Sequence, residues 1–441
     1  MLKKTIFIPI EIKTRDYFPR LLIASELLNK NFDIIFGRKR ELEKIASYSS
    51  NAIYLGLQST RSYVDFYKKL KKKKFKIVII DEEGLSTLNK KFYLSVRASN
   101  DLFKSIDKFL CWGNYQYKQI KNFIKKDYRN KLECTGNTRI DVLKKKFEIL
   151  FNLNNADFPY KNFILINLAF GQINHFQHHK SYLQHSIKNN LIQSKFEIAN
   201  YKKFLRFKFK RFQLYKTLIL KLAETFPNQI FIIRPHPSEN VKTYKFLSKF
   251  ENIVIDKKIN HISLIKRSRF VITDFCTTAI ESILLNTNTY VYKRPKKNYF
   301  LDETYYRLPK NIHSFAELCK IIKQNKRFKN KKNYSFRIKN LKKFSYQEIS
   351  YSINKFKFTE KKNYFQNLND LKFVIIKIYL SLFFKFKKNL YTLEKCEDLD
   401  VQKIKIDLNK VNKLLKNKKK YKISNICNSV FKFTASRKYF E

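Results

Sequence analysis

Short apolar runs alternate with longer amphipathic segments along most of the chain. The runs are rich in Ile, Val and Phe, which is typical of strands buried on both faces of a parallel sheet, and the segments between them are long enough for helices. The pattern therefore predicts an α/β protein. In the first third of the chain the predicted strands are 5–10, 32–36, 52–55, 76–80, 108–111 and 132–135.

The same pattern restarts after a polar stretch at 152–161 that contains Pro159. Because 441 residues exceed the size of one typical hydrophobic core, we expect two domains. The sequence predicts one doubly wound domain over 1–150 and a second over 160–345. The strands predicted in the second domain are 163–168, 230–233, 252–255, 270–273 and 289–292.

The sheet pattern stops near Ser345, and residues 346–441 are predicted to form a basic helical tail. Its strongly apolar segment, 373–386, is interrupted by Lys377 and Lys385 and is too short to span a bilayer. A helix in this segment has two alternative positions. Either it lies in the surface of a membrane, or it packs against the rest of the protein.

The formal net charge of +57 agrees with an anionic partner. However, Lys, Asn, Ile, Phe and Tyr are abundant while Gly (6) and Pro (8) are scarce, which is the composition expected from an AT-rich genome. We therefore attribute most of the charge to composition and a smaller part to attraction to anionic lipid or acidic glycan. A nucleic-acid partner is not expected.

The six cysteines form no Cys-x-x-Cys pair, so the sequence predicts neither disulfides nor a zinc site. Four histidines lie between 175 and 185, but no carboxylate or Cys stands at ligand spacing, and a polar loop leading into a basic helix is expected there instead of a metal site. The apolar run near the start, 6–10, is too short for a signal peptide. A cytoplasmic protein without cofactor is expected, with a peripheral position at the inner face of the membrane as a further expectation.

An acidic turn, Asp81-Glu82-Glu83-Gly84, follows a predicted buried strand. Ligands of doubly wound sheets bind beyond the carboxyl ends of the strands. Three consecutive carboxylates repel one another, so the pKa of at least one is expected to rise toward the range of a general base. The alternative is a solvated acidic turn without function.

Two further motifs follow strands of the second domain. In Arg234-Pro235-His236-Pro237, two prolines stiffen a loop that presents a cation beside an imidazole, which suits a phosphate group. In the segment from Thr273 to Glu281, consecutive hydroxyls stand where a helix begins, and a helix N-terminus binds phosphate through its free N–H groups. A structural His-Pro turn and an ordinary helix cap are the respective alternatives.

A fourth turn, Gly136-Asn137, ends the first domain with residues that adopt left-handed backbone conformations readily. The order of the four motifs assigns the acidic turn and this turn to the first domain and the phosphate-binding motifs to the second. The sequence thus predicts a ligand site in a cleft between two doubly wound domains.

These motifs resemble those of bacterial surface carbohydrate biosynthesis proteins over roughly residues 1–300. The residues in question are Ile8-Pro9-Ile10-Glu11, Asp81-Glu82-Glu83-Gly84, Trp112-Gly113, Gly136-Asn137, Arg139, Asp141, Arg234-Pro235-His236-Pro237 and Thr277-Thr278. An acidic turn followed by a His-Pro pair and a Ser/Thr pair is also similar, more distantly, to sialyltransferases and Kdo transferases. Those enzymes have the GT-B arrangement, two Rossmann-like doubly wound domains facing a cleft, and use CMP-activated sugars.

The resemblance implies a glycosyltransferase that passes a sugar, a CMP-activated ulosonic acid above all, to a glycan or lipid-linked glycan acceptor. The Arg234-His236 pair, and the absence of a plausible Asp-x-Asp metal site at a nucleotide-facing strand end, predict that it is metal-independent. The resemblance implies that Glu82 is the catalytic carboxylate, with Asp81 and Glu83 as alternatives because the register is open by one residue. It further implies that the nucleotide is bound by residues of three motifs. These are Gly136, Asn137, Arg234, His236, Pro237, Thr277, Thr278 and Glu281.

Three alternatives remain open from the sequence. The turn at 135–138 and Glu281 also resemble non-hydrolysing UDP-sugar 2-epimerases, although the acidic turn lacks the His-x-Glu-Ala-Gly pattern of that family. Polyol-phosphate transferases of the teichoic-acid type share the Arg-Pro-His-Pro turn. A non-catalytic membrane-docking or scaffolding protein would need none of these clustered motifs and would bind no nucleotide.

Overall fold

A computed structural model describes residues 4–85, 90–152, 158–177, 182–295, 308–324, 338, 343–358, 371–386 and 389–435. The chain divides into two compact units. The first contains residues 1–85, 94–150 and 335–441, and the second contains 86–93 and 151–334. The C-terminal segment that the sequence set apart as a tail is thus grouped with the first unit.

The strands and helices follow one another in the alternation that the sequence predicts. The strands are β1 Thr5–Ile10, β2 Asp33–Arg38, β3 Ile53–Gly56, β4 Lys76–Ile80, β5 Lys108–Cys111, β6 Leu132–Cys134, β7 Ile164–Asn167, β8 Phe231–Arg234, β9 Ile253–Ile255, β10 Val271–Thr273, β11 Thr289–Tyr292, β12 Lys310–Ile312, β13 Tyr421–Cys427 and β14 Val430–Ala435. The α-helices are α1 Lys13–Asn29, α2 Lys39–Ala46, α3 Val64–Lys72, α4 Lys90–Arg97, α5 Asn100–Ser105, α6 Asn114–Phe123, α7 Thr138–Asp141, α8 Tyr182–Lys188, α9 Lys195–Thr225, α10 His261–Arg267, α11 Thr278–Leu284, α12 Phe315–Gln324, α13 Ser345–Asn354, α14 Leu371–Phe386, α15 Leu390–Lys395 and α16 Val401–Leu415. Short 3-10 helices occupy Arg61–Tyr63, Lys126–Lys131, Lys145–Phe151 and Val241–Leu247.

The sheet of the first unit has the strand order β13-β14-β2-β1-β3-β4-β5-β6. Strands β1 to β6 pair in parallel, and the order reverses between β1 and β3. In doubly wound sheets such a reversal opens a crevice at the carboxyl ends of the strands, where ligands bind. The buried strands explain the continuous apolar runs of the sequence, since both of their faces are covered.

The sheet of the second unit has the order β12-β11-β10-β7-β8-β9, and its strands are parallel. Numbered within the unit, this is the 3-2-1-4-5-6 order of a Rossmann-like sheet. Its reversal lies between β7 and β10. A core of aliphatic and aromatic side chains from the strands and from the long helix α9 covers one face of this sheet. The α/β fold with two doubly wound sheets is therefore confirmed.

The C-terminal segment differs from the helical tail that the sequence predicts. It contains helices, but it also contains the hairpin β13–β14, and β14 pairs antiparallel with β2 and so extends the first sheet. The lysines of this segment concealed the strands, because a lysine within a strand suggests solvent. Lys432 is nevertheless buried, and its ammonium group lies 3.3 Å from a carboxylate oxygen of Asp33.

The apolar segment 373–386 lies within α14, as the sequence predicts a helix there. Among the helices that the structure describes, none combines the length and the apolar character needed to cross a membrane.

We predict that the hairpin is part of the core of the first unit. Phe433 is fully buried and its ring lies 5.2 Å from that of Phe36, so Phe433→Ala should lower the free energy of unfolding by about 3 kcal/mol. Phe386→Ala removes the same side chain at an exposed position of the same segment, where the change should stay within about 0.5 kcal/mol. Denaturant unfolding of both variants checks this, and equal stabilities would contradict it.

Candidate functional site

The acidic turn of the first unit contains two buried carboxylates and one exposed one. Asp81 is fully buried and bound to Arg97, with 2.6 Å between a guanidinium nitrogen and a carboxylate oxygen. The indole Nε1–H of Trp112 donates to the carbonyl of Asp81 at 2.7 Å. Glu83, in contrast, has a half-exposed side chain 3.5 Å from Arg15. Asp81 therefore fixes the turn.

Glu82 lies between two arginines. Arg20 donates to its Oε1 at 2.8 Å, and Arg139 lies 3.8 Å from its Oε2. Among the residues that the structure describes, this buried Oε2 has no hydrogen-bond partner. Burial raises the pKa of Glu82 above its usual range, and the negative Asp16 adds to this effect against the opposing arginines. A buried carboxylate with a raised pKa and a free lone pair is suited to accept a proton.

The Gly136-Asn137 turn lies next to the acidic turn in the first unit. Gly136 has a φ of +82°, which glycine adopts without strain. The side chain of Asn137 caps α7 by accepting from the N–H of Arg139, whose guanidinium lies 5.4 Å from the Trp112 ring and donates to the carbonyl of Glu82. Asn137 Nδ2 is buried without a hydrogen-bond partner among the described residues. The motifs at 81–84, 112 and 136–139 thus form one network.

Gly84 is needed in this network for reasons of space. A Cβ at this position would lie 2.2 Å from the amide nitrogen of Gln116 and 2.8 Å from the Trp112 ring. Gln116 accepts from the backbone N–H of Trp112, so it cannot move away without loss of that bond. Asp141, the last residue of α7, is buried and accepts from the N–H of Tyr346, which indicates a structural role.

Arg234 and His236 follow β8 in the second unit. Arg234 is nearly buried, donates to the carbonyl of Ile259 at 2.6 Å and lies 3.5 Å from Asp256. Burial lowers the pKa of Arg234 to about 10, so the side chain remains cationic at neutral pH but is poorly solvated. A second anion beside this guanidinium would therefore be favourable.

The imidazole of His236 is oriented by its own loop. The backbone N–H of Ser238 donates to Nδ1 at 3.2 Å, so the neutral ring bears its proton on Nε2, a hydrogen-bond donor. Gly171 lies against this loop, and a Cβ at Gly171 would be 2.2 Å from Ser238 Oγ and 3.1 Å from His236 Nδ1. Pro237 lies between the two and is half-buried.

Glu239 connects the loops after β7 and β8. The sequence motifs did not predict this role. It is fully buried, and its Oε1 accepts from the backbone N–H groups of Phe170 and His236 at 3.0 and 2.8 Å. Its Oε2 accepts from the hydroxyl of Tyr244. Burial raises the pKa of Glu239 above its usual range. The residue holds His236 in place, and an acidic residue two positions after the Arg-Pro-His-Pro turn is the sequence signal that could have identified it.

The turn after β10 is held by two cations from α9. Asp274 is fully buried and accepts from Lys208 at 3.0 Å and from Arg211 at 2.8 Å. Burial acts to raise the pKa of Asp274, but the two cations outweigh it and hold the pKa below its usual range. The next residue, Phe275, has a φ of +47° and lies 5.2 Å from the Arg211 guanidinium. Such a strained non-glycine turn persists only where its surroundings fix it.

The Thr-Thr motif begins a short helix, as the sequence predicts. Thr277 precedes α11 and Thr278 is its first residue. The hydroxyl oxygen of Thr278 is buried without a hydrogen-bond partner among the described residues. Glu281, on the same helix, is buried with its Oε2 3.0 Å from Nε2 of His261. His261 is a neighbour that no sequence motif indicated.

Further polar atoms at this end of the second sheet are also unpartnered. Asn167 ends β7 and Thr273 ends β10, and the two residues pair across the reversal of strand order. Asn167 Nδ2, Thr273 Oγ1 and Gln172 Oε1 are buried without a hydrogen-bond partner in the part of the chain that the structure describes. Buried polar atoms are normally hydrogen-bonded, so a cluster of exceptions at the strand ends indicates a place for a polar ligand.

A metal site is not found among the described residues, since no group of three or more His, Cys, Asp or Glu side chains is arranged to hold an ion. His178 and His179 lie outside the described residues. His175 is buried and its Nδ1 accepts from the N–H of Gln177.

No protein-family model matches the chain, and no curated protein matches it in sequence. Among solved structures it is similar to the UDP-GlcNAc 2-epimerase of Methanocaldococcus jannaschii, at 15% identity and a TM-score of 0.49 over 80% of this chain and 99% of that one. It is similar to the UDP-GlcNAc 2-epimerase of Neisseria meningitidis, at 15% and 0.48 over 80% and 100%. It is also similar to the wall teichoic acid polymerase TagF, at 14% and 0.45 over 80% and 89%. At such TM-scores the likenesses establish no function for this chain, and its fold is established by its own two sheets.

We predict that Asp274 is essential for the stability of the second unit. Asp274→Asn would leave Lys208 and Arg211 buried without their counter-charge, which should lower the free energy of unfolding by about 3 kcal/mol. Asp65→Asn is the control, because the Asp65 side chain is exposed and its ion pair with Lys68 should contribute less than about 0.5 kcal/mol. Denaturant unfolding measures both, and an unchanged stability of Asp274→Asn would refute the role.

Proposed function

We propose that the protein is a metal-independent glycosyltransferase of surface-glycan biosynthesis. The donor in this proposal is a nucleotide-activated sugar, with a CMP-linked ulosonic acid as the first candidate, and the acceptor is a glycan or a lipid-linked glycan. The observation that supports it most is the set of unpartnered polar atoms at the reversal of the second sheet, beside the loops of Arg234 and His236.

The second unit offers the groups that a nucleotide phosphate requires. Arg234 supplies a poorly solvated positive charge, and His236 supplies an Nε2–H donor. Arg234 would neutralise, and His236 would stabilise by a hydrogen bond, the charge that develops on the leaving phosphate when the glycosidic bond breaks. Asn167, Thr273 and Thr278 would add hydrogen bonds from atoms that are otherwise unsatisfied.

The first unit offers the base. In this proposal Oε2 of Glu82 accepts the proton of the acceptor hydroxyl, whose oxygen then forms the new bond to the anomeric carbon as the nucleotide leaves. If configuration is retained, the same carboxylate acts instead as a nucleophile. Arg20 and Arg139 position the carboxylate, and Asp81 with Trp112 fixes the turn.

A second candidate is a UDP-sugar 2-epimerase. One observation favours it, namely that Glu281 is buried on α11 directly after β10, in the motif that resembles the ribose-binding carboxylate of that family. Selective stabilisation by UDP, together with epimerisation of a UDP-sugar without any acceptor, would support this candidate over transfer. Formation of a phosphodiester product would indicate a polyol-phosphate transferase instead.

Nucleotide binding is tested by thermal shift with CMP, CDP, UDP and GDP, because a ligand of the native state raises the Tm. CMP should raise the Tm most. His236→Ala should weaken the binding of that nucleotide by roughly tenfold or more, because the variant lacks one charge-assisted hydrogen bond to the phosphate. His313→Ala is the matched control, since His313 is an exposed histidine of the same unit. Stabilisation by none of the four nucleotides, or equal affinity in both variants, would contradict the proposed binding of the nucleotide phosphate by Arg234 and His236.

Catalysis is tested by transfer assays on Glu82→Gln and Glu83→Gln. Glu82→Gln should reduce kcat by at least about a hundredfold while nucleotide affinity is retained, as expected for loss of a general base. Glu83→Gln should keep most of the activity. The reverse result would assign the catalytic role to Glu83.

The pH dependence gives the same test a second readout. A base works only when deprotonated, and burial raises the pKa of Glu82 above the ordinary 4.5. Activity should therefore fall on the acid side at a pH higher than an exposed glutamate would give.

The transfer assay is also run in EDTA, where activity should persist. A loss of activity that Mg²⁺ or Mn²⁺ restores would refute the metal-independent mechanism.

A further inference from the structure

Helix α14 has apolar side chains on two opposite faces. Leu380 and Phe384 are buried against the first unit. On the other side of the helix, large apolar side chains are exposed, by 37% to 79% of their area. They are Val374, Ile375, Ile378, Tyr379, Leu382 and Phe386. With about 100° between successive residues, these six positions share one side of the helix, which we call the outer face.

The inner face holds α14 on the protein. The guanidinium of Arg40 lies 5.4 Å from the ring of Phe384, and the ammonium of Lys44 lies 5.6 Å from the ring of Phe383. Both cations belong to α2, so α14 is held on the first unit by its contacts with α2. Because the inner face makes the contacts with the protein, the outer face is exposed to solvent. A contiguous apolar patch of this kind marks an interaction site.

The charge around the outer face identifies its partner. Between Asp370 and Glu394 the sequence contains five lysines and no acidic residue. Lys377 on α14 and Lys422 on the adjoining strand β13 are exposed. A second copy of this chain would bring the same net charge of +57 and would be repelled. An exposed apolar face on a helix that also carries exposed positive charge fits the surface of a bilayer that contains anionic lipid.

We propose that the outer face of α14 inserts into the surface of an anionic membrane and holds the protein there. The apolar side chains enter the boundary between headgroups and acyl chains, while Lys377 and Lys422 remain among the anionic headgroups. This proposal does not depend on the nucleotide-binding groups of the second unit and can fail or succeed without them.

Point variants test the proposal better than truncation. Removal of the C-terminal segment would take β14 away from β2 and disturb the first sheet. In the full chain, Ile375→Ser, Ile378→Ser and Leu382→Ser together make the outer face polar and leave Leu380 and Phe384 in place. Ile406→Ser is the matched control, because Ile406 is an exposed isoleucine on α16, outside the outer face.

Sedimentation with vesicles is the measurement. The parent chain and Ile406→Ser should bind vesicles of equal parts phosphatidylcholine and phosphatidylglycerol, and the triple variant should bind at least about tenfold more weakly, with an unchanged Tm. Binding to pure phosphatidylcholine should be weak, and binding to the mixed vesicles should fall in high salt, where screening shortens the range of the attraction.

Three results would overturn the proposal. One is a parent chain that does not sediment with the anionic vesicles. Another is a folded triple variant that binds as tightly as the parent. The third is a parent chain that self-associates in the absence of lipid and becomes monomeric in the triple variant, which would make the outer face an interface between protein chains.

Discussion

Buried carboxylates at the strand ends impose the main constraint on this structure. An ion that leaves water loses several kcal/mol of solvation, which only close opposite charges and hydrogen bonds restore. Asp81 is paired with Arg97, and Asp274 is paired with Lys208 and Arg211. These pairs determine where the helices that supply the cations lie. Helix α9 in particular must bring two cations to one turn, which fixes its rotation about its own axis.

Once these pairs are formed, the remaining polar atoms define a candidate site in each unit. Glu82 Oε2 and Asn137 Nδ2 in the first unit are buried but have no hydrogen-bond partner among the described residues. The same holds for Asn167 Nδ2 and Thr273 Oγ1 in the second unit, where they lie at the reversal of strand order. The paired carboxylates thus hold the loops rigid, and the unpaired atoms are the ones that a ligand would satisfy.

The sequence predicted the strands β1 to β11 because each is an apolar run bounded by polar residues, a signal that does not depend on distant contacts. It did not predict the residues that pair with the motifs, since these lie far away along the chain. Arg20 is 62 residues from Glu82, and Arg211 is 63 residues from Asp274. Neither arginine stands in a motif of its own, and only the fold brings it to its partner.

The C-terminal hairpin was missed for a different reason. Strand β14 alternates, but one of its two polar residues is Lys432, which a sequence pattern assigns to solvent. The structure buries Lys432 beside Asp33. Lys432 thus supplies the counter-charge of the buried Asp33. The same lysine made the strand hard to predict from the sequence pattern.

The balance of charge connects the core to the surface. The chain has 36 acidic residues against 93 Lys and Arg, and several of the acids are neutralised inside by the pairs described above. Each internal pair removes at least one cation together with the acid, so most of the net charge of +57 remains on the exposed surface. Such a surface attracts anions over a range set by salt. A nucleotide phosphate and an anionic lipid headgroup are both anions, so the surplus charge of the surface favours the partners that we propose.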